Sequence, residues 1–281
     1  MFEQNPNIIQ ETPQSLSHLC PPPTPLVLIH DGGGTIYSYY CLGGLARPVY
    51  GIYNPHYGTD KVWAGGIPGM AAHYVSLIKA AIPKGGDVIL GGWSLGGLLS
   101  LEVARILAED AEGTTNNRLN VLGIVMIDSI YPRAPSFQKL GHKIVQHVAE
   151  WSENTKQETK EAVQRCFDEA VRMVREWELP RWEEAHDKEI KPPPVWLLRA
   201  QKAVPVLEEG GVSRVDTYRG ERYLGWDQYR TDMVVRVEDV PGHHFNIFGW
   251  DHIDAVTEKL KKACGEIENW GRRKEGEPLK R

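Results

Sequence analysis

Asp87-Val88-Ile89-Leu90-Gly91-Gly92-Trp93-Ser94-Leu95-Gly96-Gly97-Leu98 is the stretch from which the rest of this chain can be read. A short apolar run enters a Gly-x-Ser-x-Gly turn, and Leu98, Leu101, Ala104 and Leu107 then recur at helical spacing. Strand, sharp turn and helix in direct succession is the setting of a nucleophile elbow. The tight turn forces the serine backbone into a strained conformation and lifts Oγ clear of the sheet edge. Glycines two before and two after leave room for the neighbouring strand and helix. The helix beginning beside Ser94 points its positive end at any oxyanion formed there. The plainer alternative is a small-residue strand-to-helix turn that serves packing alone.

Outward from this point the same rhythm repeats. Leu26 to His30 is an apolar run stopped by Asp31-Gly32-Gly33-Gly34, and Val49 to Tyr53 is a second strand after a short helix over 35–46. Pro68 opens a helix that ends before Pro83, and Val121 to Ile127 is a buried strand halted at Asp128-Ser129. Alternation of this kind needs crossover connections, which predicts an α/β fold with a mostly parallel sheet and helices on both faces. It breaks after residue 132. Residues 137–151 place Leu140, Ile144, Val148 and Trp151 on one helical face, and Thr155-x-x-Glu158 resembles a capping box. Val163, Phe167, Val171, Val174 and Trp177 continue at helical period until Leu179-Pro180. Residues 133–190 therefore read as a helical lid insertion. Strand signals resume at 194–198 and 233–237, and a last helix is expected from about 245 to 262.

Composition narrows the function. The 281 residues carry 32 Lys+Arg against 37 Asp+Glu, a net charge of −5. That balance offers no clustered basic field for nucleic acid. No apolar run approaches the length of a membrane span. Cys20, Cys41, Cys166 and Cys264 are scattered, without zinc-like spacing, as expected of free thiols in a reducing, cytoplasmic setting. Residues 1–23 lack the basic and apolar regions of a secretory signal and read as a polar lead-in. The expected domain is 24–265, with a charged tail over 266–281.

A serine nucleophile needs a base, and the base an orienting acid. Pro241-Gly242-His243-His244-Phe245 follows the last expected strand, so His243 and His244 both qualify. Asp128 is the best-placed acid, at the carboxyl end of the strand beside the elbow, in the order Ser, Asp, His. After the strand at 194–198 no carboxylate appears before Glu208. One oxyanion donor should be the N–H of Leu95, and the other should lie in His30-Asp31-Gly32-Gly33-Gly34. That loop has neither a G-x-G-x-x-G nor a P-loop lysine, which speaks against phosphate binding.

The segments LVLIHDGGGTIYSYY, GGWSLGG, VLGIVMIDSIYP and VPGHHFNIF together resemble the thioesterase domains of polyketide and nonribosomal-peptide synthases. The resemblance spans about residues 24 to 260. It implies an α/β-hydrolase fold with a lid and an acyl-Ser94 intermediate. It selects His244 over His243, and Gly32 as the second oxyanion donor, with Gly33 one residue away. It further implies a substrate presented on a phosphopantetheine arm, no bound cofactor or metal, and a partner that is an acyl carrier protein or synthase. Two other classes share parts of this pattern. A carboxylester hydrolase or lipase would keep the same triad, and a non-catalytic binding protein of this fold would normally have lost a member of it. Trp151, Phe167, Trp177 and Trp182 of the lid could either pack on the core or line the substrate chamber.

Overall fold

The computed structural model describes residues 4–16, 18, 21–110, 117–133, 143–145, 151, 153–182 and 191–274. Its centre is a seven-stranded sheet built from β1 (Asn7–Gln10), β2 (Leu26–Ile29), β3 (Val49–Ile52), β4 (Gly86–Trp93), β5 (Leu119–Ile127), β7 (Val195–Ala200) and β9 (Val234–Val240). The spatial order is β1-β3-β2-β4-β5-β7-β9, parallel except for β1, which pairs antiparallel with β3. A separate pair joins β6 (Lys143–Val145) to β8 (Gly211–Ser213). The helices are α1 (Gly66–Ala81), α2 (Leu95–Glu109), α3 (Gln157–Glu176) and α4 (Ile253–Lys274).

Strands of such a sheet are covered on both sides, which is why they read as unbroken apolar runs. Val27 and Ile29, Val88 and Leu90, and Ile124 and Met126 point toward α1 and α2. Leu26 and Leu28, Ile89, and Val125 and Ile127 point to the opposite face. There they meet Ile36, Tyr39, Leu42 and the Val256, Leu260, Ala263 and Ile267 side of α4. The chain leaves β2 for β3 on one side and returns through α1 to β4 on the other. Strand order therefore reverses between β2 and β4, and in open α/β sheets a crevice opens at that point, beyond the carboxyl ends of the strands.

The expected α/β-hydrolase architecture is present, with local corrections. The lead-in contains β1, which caps the sheet edge, so residues 1–23 are not wholly outside the fold. The helix expected over 35–46 is a single 3-10 turn, Tyr37–Cys41. Lys143–Val145 is a strand and not part of a helix over 137–151; the other residues expected there, apart from Trp151, lie outside the described set. The Thr155/Glu158 capping box does not form, because α3 starts one residue later than that box requires, with Lys156 as N-cap and no side-chain cap. The last helix begins at Ile253 and runs to Lys274, past the expected boundary at 265, because Ile267 is fully buried against the sheet. No helix among the described residues is long and apolar enough to cross a membrane.

Candidate active site

Ser94 stands at the junction of β4 and α2 with φ 55° and ψ −114°, a left-handed backbone that a non-glycine residue adopts only under constraint. The constraint is close packing. A Cβ on Gly92 would lie 2.6 Å from the Gly96 carbonyl carbon, and one on Gly96 would lie 2.2 Å from the Ile29 carbonyl oxygen. The elbow is thus pressed against the end of β2. Tyr39 fastens the same junction: its hydroxyl donates to the Ile29 carbonyl at 2.6 Å and accepts from the Trp93 N–H at 2.9 Å. Sequence reading gave no role to Tyr39, since nothing in its local pattern distinguishes it from any buried aromatic.

His244 Nε2 lies 3.1 Å from Ser94 Oγ, and His244 Nδ1 lies 2.8 Å from Asp128 Oδ2. Both His244 and Asp128 are buried. A carboxylate can only accept, so Nδ1 carries the proton and Nε2 is left as the acceptor facing Ser94. His243, the other candidate, folds into its own turn: its backbone N–H meets Asn246 Oδ1 at 2.7 Å and its Nδ1 accepts from Phe245 N–H at 3.3 Å. Burial by itself would raise the Asp128 carboxyl, but hydrogen bonds from His244 and Arg219 outweigh it and hold the group below the usual carboxylate range. The Trp93 ring flanks His244 at 5.6 Å between centroids.

Across the crevice is the loop after β2. His30 is buried, its Nδ1 2.5 Å from the Asp31 carbonyl and its Nε2 2.6 Å from the Tyr74 hydroxyl. Burial lowers its pKa to about 4, partly offset by the bond to Asp31. The ring is therefore neutral, donating from Nδ1 and accepting from Tyr74, and it pins the start of the glycine turn. Asp31 Oδ1 accepts the Gly33 N–H at 3.2 Å. Burial raises the Asp31 carboxyl to about 6, against the lowering effects of His244 and the Gly33 N–H. Gly32 and Leu95 each follow by three residues the paired positions Ile29 and Gly92, near the carboxyl ends of β2 and β4.

A thioesterase domain model matches residues 24–264. The chain belongs to the thioesterase family. A probable thioesterase of Glarea lozoyensis, gloN, is 38% identical over 95% of this chain and 99% of its own length. The thioesterase AMT4 of Alternaria alternata is 34% identical over 94% of this chain and 93% of its own. Among solved structures, the NocB thioesterase domain in covalent complex with a fluorophosphonate nocardicin G analogue superposes with a TM-score of 0.61. It shows 22% identity, covering 86% of this chain and 95% of that one. The RedJ thioesterase of Streptomyces coelicolor gives 0.57 at 17% identity, covering 87% and 90%. These structural likenesses speak to the fold.

In this thioesterase α3 rests on the glycine turn. A Cβ on Gly32 would meet Phe167 at 3.0 Å, one on Gly33 would meet Val163 at 3.5 Å, and one on Gly34 would meet Cys166 Sγ at 2.9 Å. Val163, Cys166 and Phe167 share one face of α3, so the glycines admit the helix as well as exposing N–H groups. The helix is also tied to the core. Trp177 Nε1 donates to Glu102 Oε2 at 3.0 Å, Glu169 Oε1 accepts Trp63 N–H at 2.8 Å, and an Arg172 guanidinium N–H reaches the Trp63 carbonyl at 3.1 Å. Trp177 and Trp182 are buried in the core. Of the aromatics expected in a lid, Phe167 is set against the glycine turn, and Trp151 is half-buried.

Proposed function

We propose that this thioesterase releases an acyl chain from the phosphopantetheine arm of a carrier protein or synthase of secondary metabolism, through an acyl-Ser94 intermediate. The observation that carries the reading is the relay of Ser94 Oγ, His244 and Asp128 at 3.1 and 2.8 Å. His244 Nε2 takes the Ser94 proton as Oγ attacks the thioester carbonyl. The oxyanion is met by the N–H groups of Leu95 and Gly32, at the positive end of α2. The C–S bond breaks, the thiolate takes the proton from His244, and the acyl group stays on Ser94. A water molecule, or a nucleophile within the acyl chain, gives its proton to His244 as it attacks the ester carbonyl. The bond from Ser94 Oγ to the acyl carbon breaks, and Oγ takes the proton back from His244 as the product leaves. Every step is served by side chains and backbone, so the reading calls for no cofactor or metal.

Incubation with acyl-carrier thioesters should give a protein whose mass rises by the acyl group, with the modification on Ser94. Ser94→Ala should abolish both that adduct and fluorophosphonate labelling. Retention of either by the alanine variant would overturn the assignment.

A further inference from the structure

The acid of the relay is not free. Asp128 Oδ1 accepts the Ala200 N–H at 2.8 Å and an Arg219 Nη1–H at 2.6 Å, and Oδ2 accepts His244 Nδ1 at 2.8 Å and Arg219 Nη2 at 2.7 Å. A carboxylate has about four lone-pair sites, and all of them are filled. Arg219 is spent as completely. Its Nη1 also donates to the Ala200 carbonyl at 2.9 Å, its Nη2 to the Val215 carbonyl at 3.3 Å, and its Nε to Asp216 Oδ1 at 2.8 Å. Its five N–H donors thus meet five acceptors. Asp216 Oδ2 in turn accepts the Val204 N–H at 2.6 Å. Asp128 has φ 48°, so this clamp also holds a backbone conformation that would otherwise relax.

We infer that Arg219 is a positioning residue of the reaction centre, fixing the plane of the Asp128 carboxylate and setting how strongly His244 attracts a proton. With neutral His244 the cluster of Asp128, Arg219 and Asp216 carries one net negative charge, which protonation of His244 cancels. Without Arg219 the imidazole would face the full charge of Asp128, with Asp216 nearby and also uncompensated. Low-dielectric surroundings make that difference count. The other groups acting on His244 are Ser94 on its Nε2 side, the Trp93 and Phe245 rings, and Asp31 from the loop after β2. None of these bonds to Asp128, so among the side chains of the described residues Arg219 alone offsets its charge. A side chain near 219 gave no motif for sequence reading, because the pairing is made across 91 positions.

The inference rests on the acyl-Ser94 reading, and its test uses a probe that does not depend on the natural substrate. The rate of Ser94 labelling by a fluorophosphonate is measured against pH for wild type, Arg219→Lys and Arg219→Met. Absence of labelling in the wild type would sink the acyl-serine reading itself. With labelling intact, Arg219→Met should move the acid limb upward by about one pH unit. It should also lower the plateau by ~10-fold or more, the scale of a misplaced base. Arg219→Lys keeps the charge and loses the fork, so its acid limb should stay near wild type while its plateau falls. An Arg219→Met limb in its wild-type place overturns the inference. So does an Arg219→Lys plateau equal to wild type, which also decides the matter if the methionine variant does not fold.

Discussion

Phe167 of α3 lies 3.0 Å from the point that a Cβ on Gly32 would occupy. The expected oxyanion donor is therefore also the seat of α3. Gly32→Ala pushes on a ring that can give by a few tenths of an ångström, so the domain should fold. Moving a donor by such a distance should still slow Ser94 acylation, by ~10-fold. Shortening the ring in a Gly32→Ala/Phe167→Leu double variant should recover part of the loss. Fluorophosphonate labelling rates check this, and a Gly32→Ala rate equal to wild type would show that the contact does not matter.

Gly96 presents the contrasting case. Its missing Cβ would strike the carbonyl oxygens of Ile29 at 2.2 Å and His30 at 2.9 Å, both of them backbone at the carboxyl end of the central strand β2. Backbone there cannot yield without breaking the β2–β4 ladder. Gly96→Ala should cost more than about 3 kcal/mol or give no soluble protein. Gly69 in α1 has nothing within 4 Å of its virtual Cβ. Gly69→Ala should be neutral or stabilising by up to about 1 kcal/mol. Thermal denaturation of the two variants tests the contrast.

The elbow, the strand carrying Asp128 and the segment carrying His244 were legible because each is local: an apolar run followed by a turn of distinctive composition. Their juxtaposition follows from parallel strand order, which the alternation of strand and helix already implies. The resemblance to a known family then separated His244 from His243, which spacing could not do. What escaped sequence reading is held together over long distances. Arg219 on Asp128, Tyr39 between Ile29 and Trp93, and Glu102 beneath Trp177 are single polar residues with no period or motif. The edge strand β1 was missed because Asn7 and Gln10 flank only two apolar residues, and its partner β3 supplies the rest of the signal. The end of α4 was missed because charged residues outnumber apolar ones there, although Ile267 keeps the buried stripe.

Asp31 should make stability depend on pH in a direction opposite to most carboxylates. Its folded pKa of about 6 lies above the ordinary value, so the folded state holds a proton that the unfolded chain has released. The unfolded state then binds fewer protons over roughly pH 4 to 6, and stability falls as pH rises through that window. Asp31→Asn removes the penalty. The variant should be more stable than wild type at pH 8, by ~1–3 kcal/mol, and the gain should vanish near pH 3.5. His30, with its depressed pKa, adds an opposite slope between about 4 and 6.5, but that slope is common to both proteins and cancels in the difference. Urea titrations at the two pH values provide the comparison, and a gain that is the same at both would contradict the account.

Trp177 separates packing from substrate selection at the C-terminal end of α3. Its ring is buried in the core, and its Nε1–H is bonded to Glu102, which is itself only 2% exposed and paired with Arg105. Trp177→Phe keeps most of the apolar contact and removes that donor, leaving a buried carboxylate oxygen without its N–H. The cost should be about 1–3 kcal/mol in stability. Since the ring does not face the glycine turn, the preference among short and long acyl thioesters should be unchanged. Phe167→Ala, which clears the space over Gly32, should alter that preference with a smaller loss of stability. Melting temperatures set beside competition between two acyl chain lengths resolve the two roles. A changed chain-length preference in Trp177→Phe, at unchanged stability, would move Trp177 from the core to the substrate wall.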